Sequence, residues 1–132
     1  MSEKTFGEWL SGLDLDFWGT ARHKVTPAQF FERWQSGEDV VLLDIRSHEE
    51  AQYMALPFAL HIPIDELPQR RGEIPRDKLV ATFCSAGVRA SIAYAYLQLQ
   101  GLENVRIFAG GYPDLMEELK ASKVRKLLKE TP

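Results

Sequence analysis

Apolar positions along the chain follow two different rhythms. Val40-Val41-Leu42-Leu43 is a continuous apolar run that ends in Asp44, Leu79 to Phe83 is another short, largely apolar run that ends at Cys84, and Val105-Arg106-Ile107-Phe108 reads as a third strand. Short continuous runs of this kind read as strands covered on both faces, the signature of a parallel sheet. Helical spacing fills the intervals. Thr26-Pro27-Ala28-Gln29 opens a helix, with Thr26 as cap, Pro27 at the first helical position and Gln29 closing a capping box. Phe30, Phe31 and Trp34 form its apolar face, and Gly37 ends it. Ser47 caps the next helix, with Glu50 three residues on. The stretch from Leu56 to Pro63 is broken by Pro57 and Pro63 and reads as an irregular connection with at most a short strand, followed by one helical turn over Ile64 to Leu67.

Residues 89–99 read as a helix whose inner face is Ile92, Ala93, Tyr96 and Leu97, stopped by Gly101. Gly110-Gly111 precedes a helix around 113–121. A basic amphipathic segment then runs to about 129, with Val124, Leu127 and Leu128 facing inward. Strands alternating with helices give an α/β fold: an open, mainly parallel sheet flanked by helices. Residues 1–22 carry Phe6, Trp9, Leu10, Leu13, Leu15, Phe17 and Trp18 among glycines, too apolar for an idle tail. They read as an aromatic N-terminal extension packing on the domain, with a short helix around 4–11. Residues 23–121 form the domain itself and 122–132 a basic helical tail.

Composition narrows the class. With 132 residues, 45% hydrophobic and 27% charged, the chain suits one soluble domain that builds its core without metals or disulfides. The net charge of −3 argues against a dedicated nucleic-acid binder. It hides a gradient, since residues 1–66 hold 12 acidic and 5 basic side chains and residues 67–132 hold 7 and 11. No apolar run is long enough to span a membrane. MSEKTFGEWL lacks the basic head and apolar stretch of a secretion signal. One cysteine excludes an internal disulfide and a multi-cysteine zinc site, and with the missing signal it points to the cytoplasm. No metal and no organic cofactor are inferred.

Candidate chemistry lies at the carboxyl ends of the strands, where open parallel sheets place their sites. Phe83 is followed by Cys84-Ser85-Ala86-Gly87-Val88-Arg89 and then a helix, which sets a thiol at the mouth of a tight loop. Successive N–H groups of such a loop converge on one point, and the helix end adds a positive dipole. Both stabilise negative charge on sulfur. Gly87 permits the turn, Ser85 is placed to donate to the sulfur, and Arg89 sets a permanent cation at the loop's exit to attract an anionic substrate. Phosphate-accepting loops of the tyrosine-phosphatase kind place five residues between cysteine and arginine. Four intervene here and Ala90 stands at the arginine's place, so a smaller ligand suits the ring. His23, His48 and His61 form no ligand-spaced cluster and read as structural or surface residues.

VVLLDIRSHEE at 40–50, LVATFCSAGVRAS at 79–91 and VRIFAGGYPDL at 105–115 together resemble the single-domain rhodaneses, of the thiosulfate sulfurtransferase family. The resemblance spans roughly Val25 to Leu119. It implies a rhodanese-like fold and a persulfide cycle. The Cys84 thiolate attacks the outer sulfur of a small sulfur-containing anion such as thiosulfate, and the persulfide passes its sulfur to cyanide, a thiol or a protein thiol. It implies that Ser85, Ala86, Gly87, Val88 and Arg89 form the loop that holds the persulfide. Asp44 would accept hydrogen bonds from backbone near that loop, Arg46 would pair with Glu50, and Gly110 and Gly111 would turn the chain beside the site. The family's Gly-His-Ile-Pro-Gly-Ala stretch is replaced by Met54 to Ala59, keeping only proline and alanine, and Leu115 stands where tryptophan is frequent. Alternatives are a sulfur carrier or persulfide relay whose partner docks on the aromatic N-terminal stretch, a non-enzymatic interaction domain, and a small-oxyanion phosphatase or arsenate reductase.

Overall fold

A computed structural model describes residues 4–120. In chain order its elements are α1 (Phe6–Ser11), α2 (Leu15–Gly19), β1 (Lys24–Val25), α3 (Pro27–Gln35), β2 (Val40–Asp44), α4 (His48–Tyr53) and β3 (Leu60–His61). They continue with α5 (Leu67–Arg70), β4 (Leu79–Phe83), α6 (Val88–Leu99), β5 (Val105–Phe108) and α7 (Tyr112–Glu118). Single 3-10 turns at Ile64–Glu66 and Arg71–Glu73 flank α5. The predicted tail, with Val124, Leu127 and Leu128, lies outside the described residues.

All strand pairs are parallel, in the order β1-β5-β4-β2-β3. The middle strand is therefore β4, which feeds directly into Cys84. β2 runs beside it in register from Val40 opposite Leu79 to Asp44 opposite Phe83. Successive strand residues face opposite sides. Leu43, Val80 and Val105 join a core with Ala93, Tyr94 and Leu97 of α6 and with Leu67, Ile74 and Leu102. Leu42, Ala81, Phe83 and Phe108 face the other way, onto Phe30 and Phe31 of α3 and Leu115 of α7. Leu115 is fully buried there, as a core residue.

Local chemistry sets the helix ends. Thr26 Oγ1 accepts from the Gln29 N–H at 3.1 Å and Gln29 Oε1 from the Thr26 N–H at 3.0 Å, the reciprocal box read from the sequence. Gly37, at φ +93, lets the Glu38 N–H reach back to the Arg33 carbonyl at 3.0 Å and close α3. The buried face of α6 differs from the one predicted. Ala90, Ala93, Tyr94 and Leu97 point inward, while Ile92 is exposed and Tyr96 is only half-buried. Both sides of this helix carry apolar residues, so helical spacing alone does not separate the inner face from the outer strip.

Three helices or strands escape the sequence reading: β1 is only two residues long, α2 is five and α5 is four. Of the N-terminal aromatics, Trp9 and Phe17 pack partly buried against the α6 side of the core, with the Trp9 and Tyr94 ring centroids 6.1 Å apart. Phe6, Leu10, Leu15 and Trp18 are exposed. Among the described residues no helix is long and apolar enough to cross a membrane.

Candidate active site

Cys84 stands one residue beyond β4, and its side chain is 2% exposed. Its Sγ accepts two backbone hydrogen bonds, from the Gly87 N–H at 3.0 Å and the Ala90 N–H at 3.2 Å. Gly87 adopts φ +95, a left-handed conformation that glycine enters without steric cost, and this curls the loop so that its amide faces the sulfur. The same residue caps α6, placing the sulfur at the helix's positive end. Thr82, buried inside β4, donates from Oγ1 to the Ala90 carbonyl at 3.0 Å and fixes the first turn of α6 to the strand. The Ala90 donor on the sulfur is therefore held from behind by the sheet.

Arg89 does not stand as a free cation. Its Nη1 donates to Glu50 Oε1 at 2.6 Å and its Nη2 to Glu50 Oε2 at 2.9 Å. Glu50 is in turn held by the Ser47 N–H at 3.0 Å and hydroxyl at 3.1 Å. Hydrogen bonds from Arg89 pull the Glu50 carboxyl down to about 2, with the Ser47 bonds assisting against partial burial, and Glu50 raises the Arg89 guanidinium in return. Arg89 Nη2 also donates to Ser85 Oγ at 3.2 Å. The Ser85 hydroxyl is thus engaged by Arg89, whereas the sequence reading aims it at the sulfur. Backbone amides take that role, Gly87's and the unpredicted Ala90's.

The pairing expected between Arg46 and Glu50 is also replaced. Arg46 is fully buried and binds Asp44 through Nε to Oδ1 and Nη2 to Oδ2, both at 2.8 Å. Arg46 precedes the Ser47 cap, so it lies outside the first turn of α4 and its side chain is buried in the domain. The Asp44 carboxylate is occupied by Arg46, including its N–H at 3.1 Å, and not by the cysteine loop. Asp44 hydrogen bonds raise the Arg46 guanidinium further above its ordinary range. Arg46 also donates to the Met54 carbonyl at 2.8 Å and to the Tyr112 hydroxyl at 3.1 Å, and it lies against the Phe83 and Tyr112 rings.

Tyr112 leads to Gly111, the point where α7 meets the cysteine loop. A Cβ on Gly111 would lie 2.3 Å from the Ser85 carbonyl oxygen, so only a residue without one lets the two backbones approach. At Gly110 a Cβ would meet the Asp114 side chain at 2.6 Å. Asp114 Oδ2 accepts from the Gly111 N–H at 3.0 Å. Arg46 thereby ties the end of β2, the end of α4 and the start of α7 together behind the loop. Sequence reasoning does not place Tyr112 or Met54 in this arrangement. The bulky aromatic directly after a glycine pair is the available signal for Tyr112, and a backbone carbonyl leaves none.

The histidines stay apart from the sulfur's hydrogen bonds. A His61 ring nitrogen meets the Arg46 carbonyl at 2.8 Å, His48 pairs with Glu66 at 2.6 Å, and His23 sits against the Phe17 and Trp18 rings. Among the described residues no group of three His, Cys, Asp or Glu is placed to hold a metal ion.

A parallel five-stranded sheet whose middle strand delivers a thiol into the amide-lined mouth of a helix defines a class of α/β domains built around a sulfur nucleophile. The Rhodanese-like domain family matches residues 27–118, and the chain belongs to that family. A sulfurtransferase of Allochromatium vinosum is 40% identical over 80 residues, which cover 61% of this chain and 75% of that protein. A tRNA uridine(34) hydroxylase of Xanthomonas euvesicatoria is 35% identical over 107 residues, covering 72% of this chain, which spans only 43% of the hydroxylase. Among solved structures, a rhodanese-related protein from Thermoplasma volcanium superposes with TM-score 0.63 at 28% identity, covering 73% of this chain and 92% of that one. The human single-domain sulfurtransferase TSTD1 does so with TM-score 0.57 at 28% identity, covering 73% and 96%. The chain is accordingly an enzyme of the rhodanese-type sulfurtransferase class.

Proposed function

We propose that the protein moves sulfane sulfur through a persulfide on Cys84, from thiosulfate or a related donor to cyanide or a thiol. One observation carries this reading: Cys84 Sγ is the shared acceptor of the Gly87 and Ala90 N–H groups at the mouth of α6. Amides can only donate there, so the pocket matches a sulfur that bears negative charge. The thiolate attacks the outer sulfur of thiosulfate, a sulfur–sulfur bond forms, and sulfite leaves with the electron pair of the broken bond. Cyanide then attacks the outer sulfur of the persulfide, thiocyanate forms, and the Cys84 thiolate returns. A single nucleophile suffices for this two-step transfer. In this reading Ser85, Ala86, Gly87, Val88 and Arg89 hold the persulfide, while Asp44, Arg46, Glu50, Gly110 and Gly111 keep the loop in shape. A reducing, cytoplasmic setting suits the lone free thiol.

A second reading, a persulfide relay to a protein partner, is favoured by the exposed side of α6. Phe6, Ile92, Ala95, Tyr96 and Leu99 line an apolar groove of about 480 Å³, and exposed Val88 continues the strip to the cysteine loop. Thiocyanate release from thiosulfate and cyanide, with Cys84→Ala as control, tests the primary reading. Cysteine-dependent turnover supports it. Absence of turnover together with absence of a Cys84 persulfide after donor treatment refutes it for that donor.

A further inference from the structure

Three polar or charged side chains are buried among the described residues. Asp44 and Arg46 pair with each other. The third, Thr82, is fully buried between Val80 and Cys84 on the face of β4 turned toward α6, in a layer with Ala90, Ala93 and Leu97. Valine has nearly the same shape and would fill that layer without burying a hydroxyl. The hydroxyl therefore calls for an account beyond packing. Its single proton goes to the Ala90 carbonyl at 3.0 Å, the nearer of two acceptors, the Arg106 carbonyl lying at 3.4 Å. Ala90 is the third residue of α6, so its N–H has no acceptor inside the helix and bonds Cys84 Sγ at 3.2 Å. Holding the carbonyl of that residue fixes where its N–H points.

The grip extends to the second amide on the sulfur. The peptide whose carbonyl takes the Thr82 proton gives its own N–H, that of Ser91, to the Gly87 carbonyl at 3.0 Å, and Ser91 Oγ donates to the same carbonyl at 2.9 Å. Gly87 in turn offers its N–H to Sγ at 3.0 Å. Hydrogen bonds linked in this way polarise one another. We propose that Thr82 is a positioning residue, whose buried hydroxyl holds the Ala90 and Gly87 amides on Cys84 Sγ and so sustains the sulfur as a thiolate. It acts from behind the sulfur, through the first turn of α6. The inference rests on the Cys84 persulfide reading, in which that thiolate opens the reaction.

The test reads the thiolate directly, as the ultraviolet difference absorbance between each protein and its Cys84→Ser counterpart while pH is raised, with urea unfolding alongside to establish that each protein is folded. Thr82→Val is expected to hold about threefold less thiolate than the native protein on the rising limb of the titration, the effect of about one hydrogen bond. At high pH, where every thiol is ionised, the two signals are expected to meet. Thr82→Ser keeps the hydroxyl and loses only a methyl group, and it is expected to titrate as the native protein does. Persulfide formation with thiosulfate at neutral pH should follow the same order, slowed in Thr82→Val and native in Thr82→Ser. A native titration in Thr82→Val, or a loss in Thr82→Ser as large as that in Thr82→Val, shows that the residue only packs and overturns the proposal. If the titrations run as expected and the native protein still forms no Cys84 persulfide with thiosulfate, the sulfur-transfer reading fails for that donor instead.

Discussion

Gly111→Ala tests whether α7 is packed against the cysteine loop as tightly as the geometry states. The added Cβ would sit 2.3 Å from the Ser85 carbonyl oxygen and 3.3 Å from its carbon, where ordinary contact begins at 3.4 Å. Both neighbours are backbone, so no side chain can swing aside, and the Ser85 carbonyl must retreat by about 1 Å. Ser85 adjoins Cys84, and the 3.0 Å bond from Gly87 to the sulfur lies two residues further on. Overpacking of this kind costs about 1–3 kcal/mol of stability. A displacement near 1 Å at a reacting group costs roughly 10²-fold in rate. Urea unfolding gives the first quantity and kcat/KM for thiocyanate release gives the second. Gly72→Ala supplies the control, since a Cβ there meets nothing within 4 Å, and it is expected to match the native protein or exceed it slightly. Native stability and native turnover in Gly111→Ala would refute the close contact between the two backbones.

Arg46→Met leaves the Asp44 carboxylate buried without its partner and is expected to cost about 3–5 kcal/mol, measured by urea or thermal unfolding. Gly87→Ala forces an L-residue to φ +95 in otherwise open space, so a loss of about 1–3 kcal/mol should come from backbone strain, with persulfide formation slowed in stopped-flow kinetics. Thr82→Val removes the buried bond to the Ala90 carbonyl and is expected to destabilise by about 0.5–1.5 kcal/mol on urea unfolding, the net contribution of one hydrogen bond. The Glu50 carboxyl, lowered from 4.5 to about 2 by Arg89, releases its proton more readily folded than unfolded. Its contribution is therefore complete above about pH 4.5 and disappears as pH falls toward 2. A ceiling of about 3 kcal/mol shrinks to about 1 kcal/mol because both partners are about a third exposed, and the difference between native protein and Glu50→Gln in urea should narrow by that amount over this interval.

Much of this fold is legible in local pattern because its decisive signals are local. The three predicted strands are β2, β4 and β5, and the capping boxes at Thr26 and Ser47 stand where their spacing puts them. The cysteine loop follows from a strand ending at Phe83 and a helix beginning at Val88. What escapes depends on partners distant in sequence. Glu50 and Arg89 are 39 residues apart, and Arg46 and Tyr112 are 66 apart. Arg46 and Glu50 are four apart and resemble a helical pair, yet the helix starts between them, and the buried carboxylate two residues back captures the arginine. Ser85 is misassigned for a related reason, since a side chain of the following helix reaches back to its hydroxyl. β1 has too few residues to carry any periodicity, and its position comes from β5, whose Ile107 N–H donates to the His23 carbonyl at 2.9 Å.

Everything proposed for this site requires that Cys84 carry sulfur. Because the chain contains a single cysteine, intact-protein mass spectrometry after donor treatment reads the site without ambiguity. One added sulfur atom is expected on the native protein, lost again on addition of cyanide with release of an equal amount of thiocyanate, and no such adduct on Cys84→Ser. An unmodified native protein after treatment with both thiosulfate and a hydropersulfide, or an adduct that survives in Cys84→Ser, would contradict it.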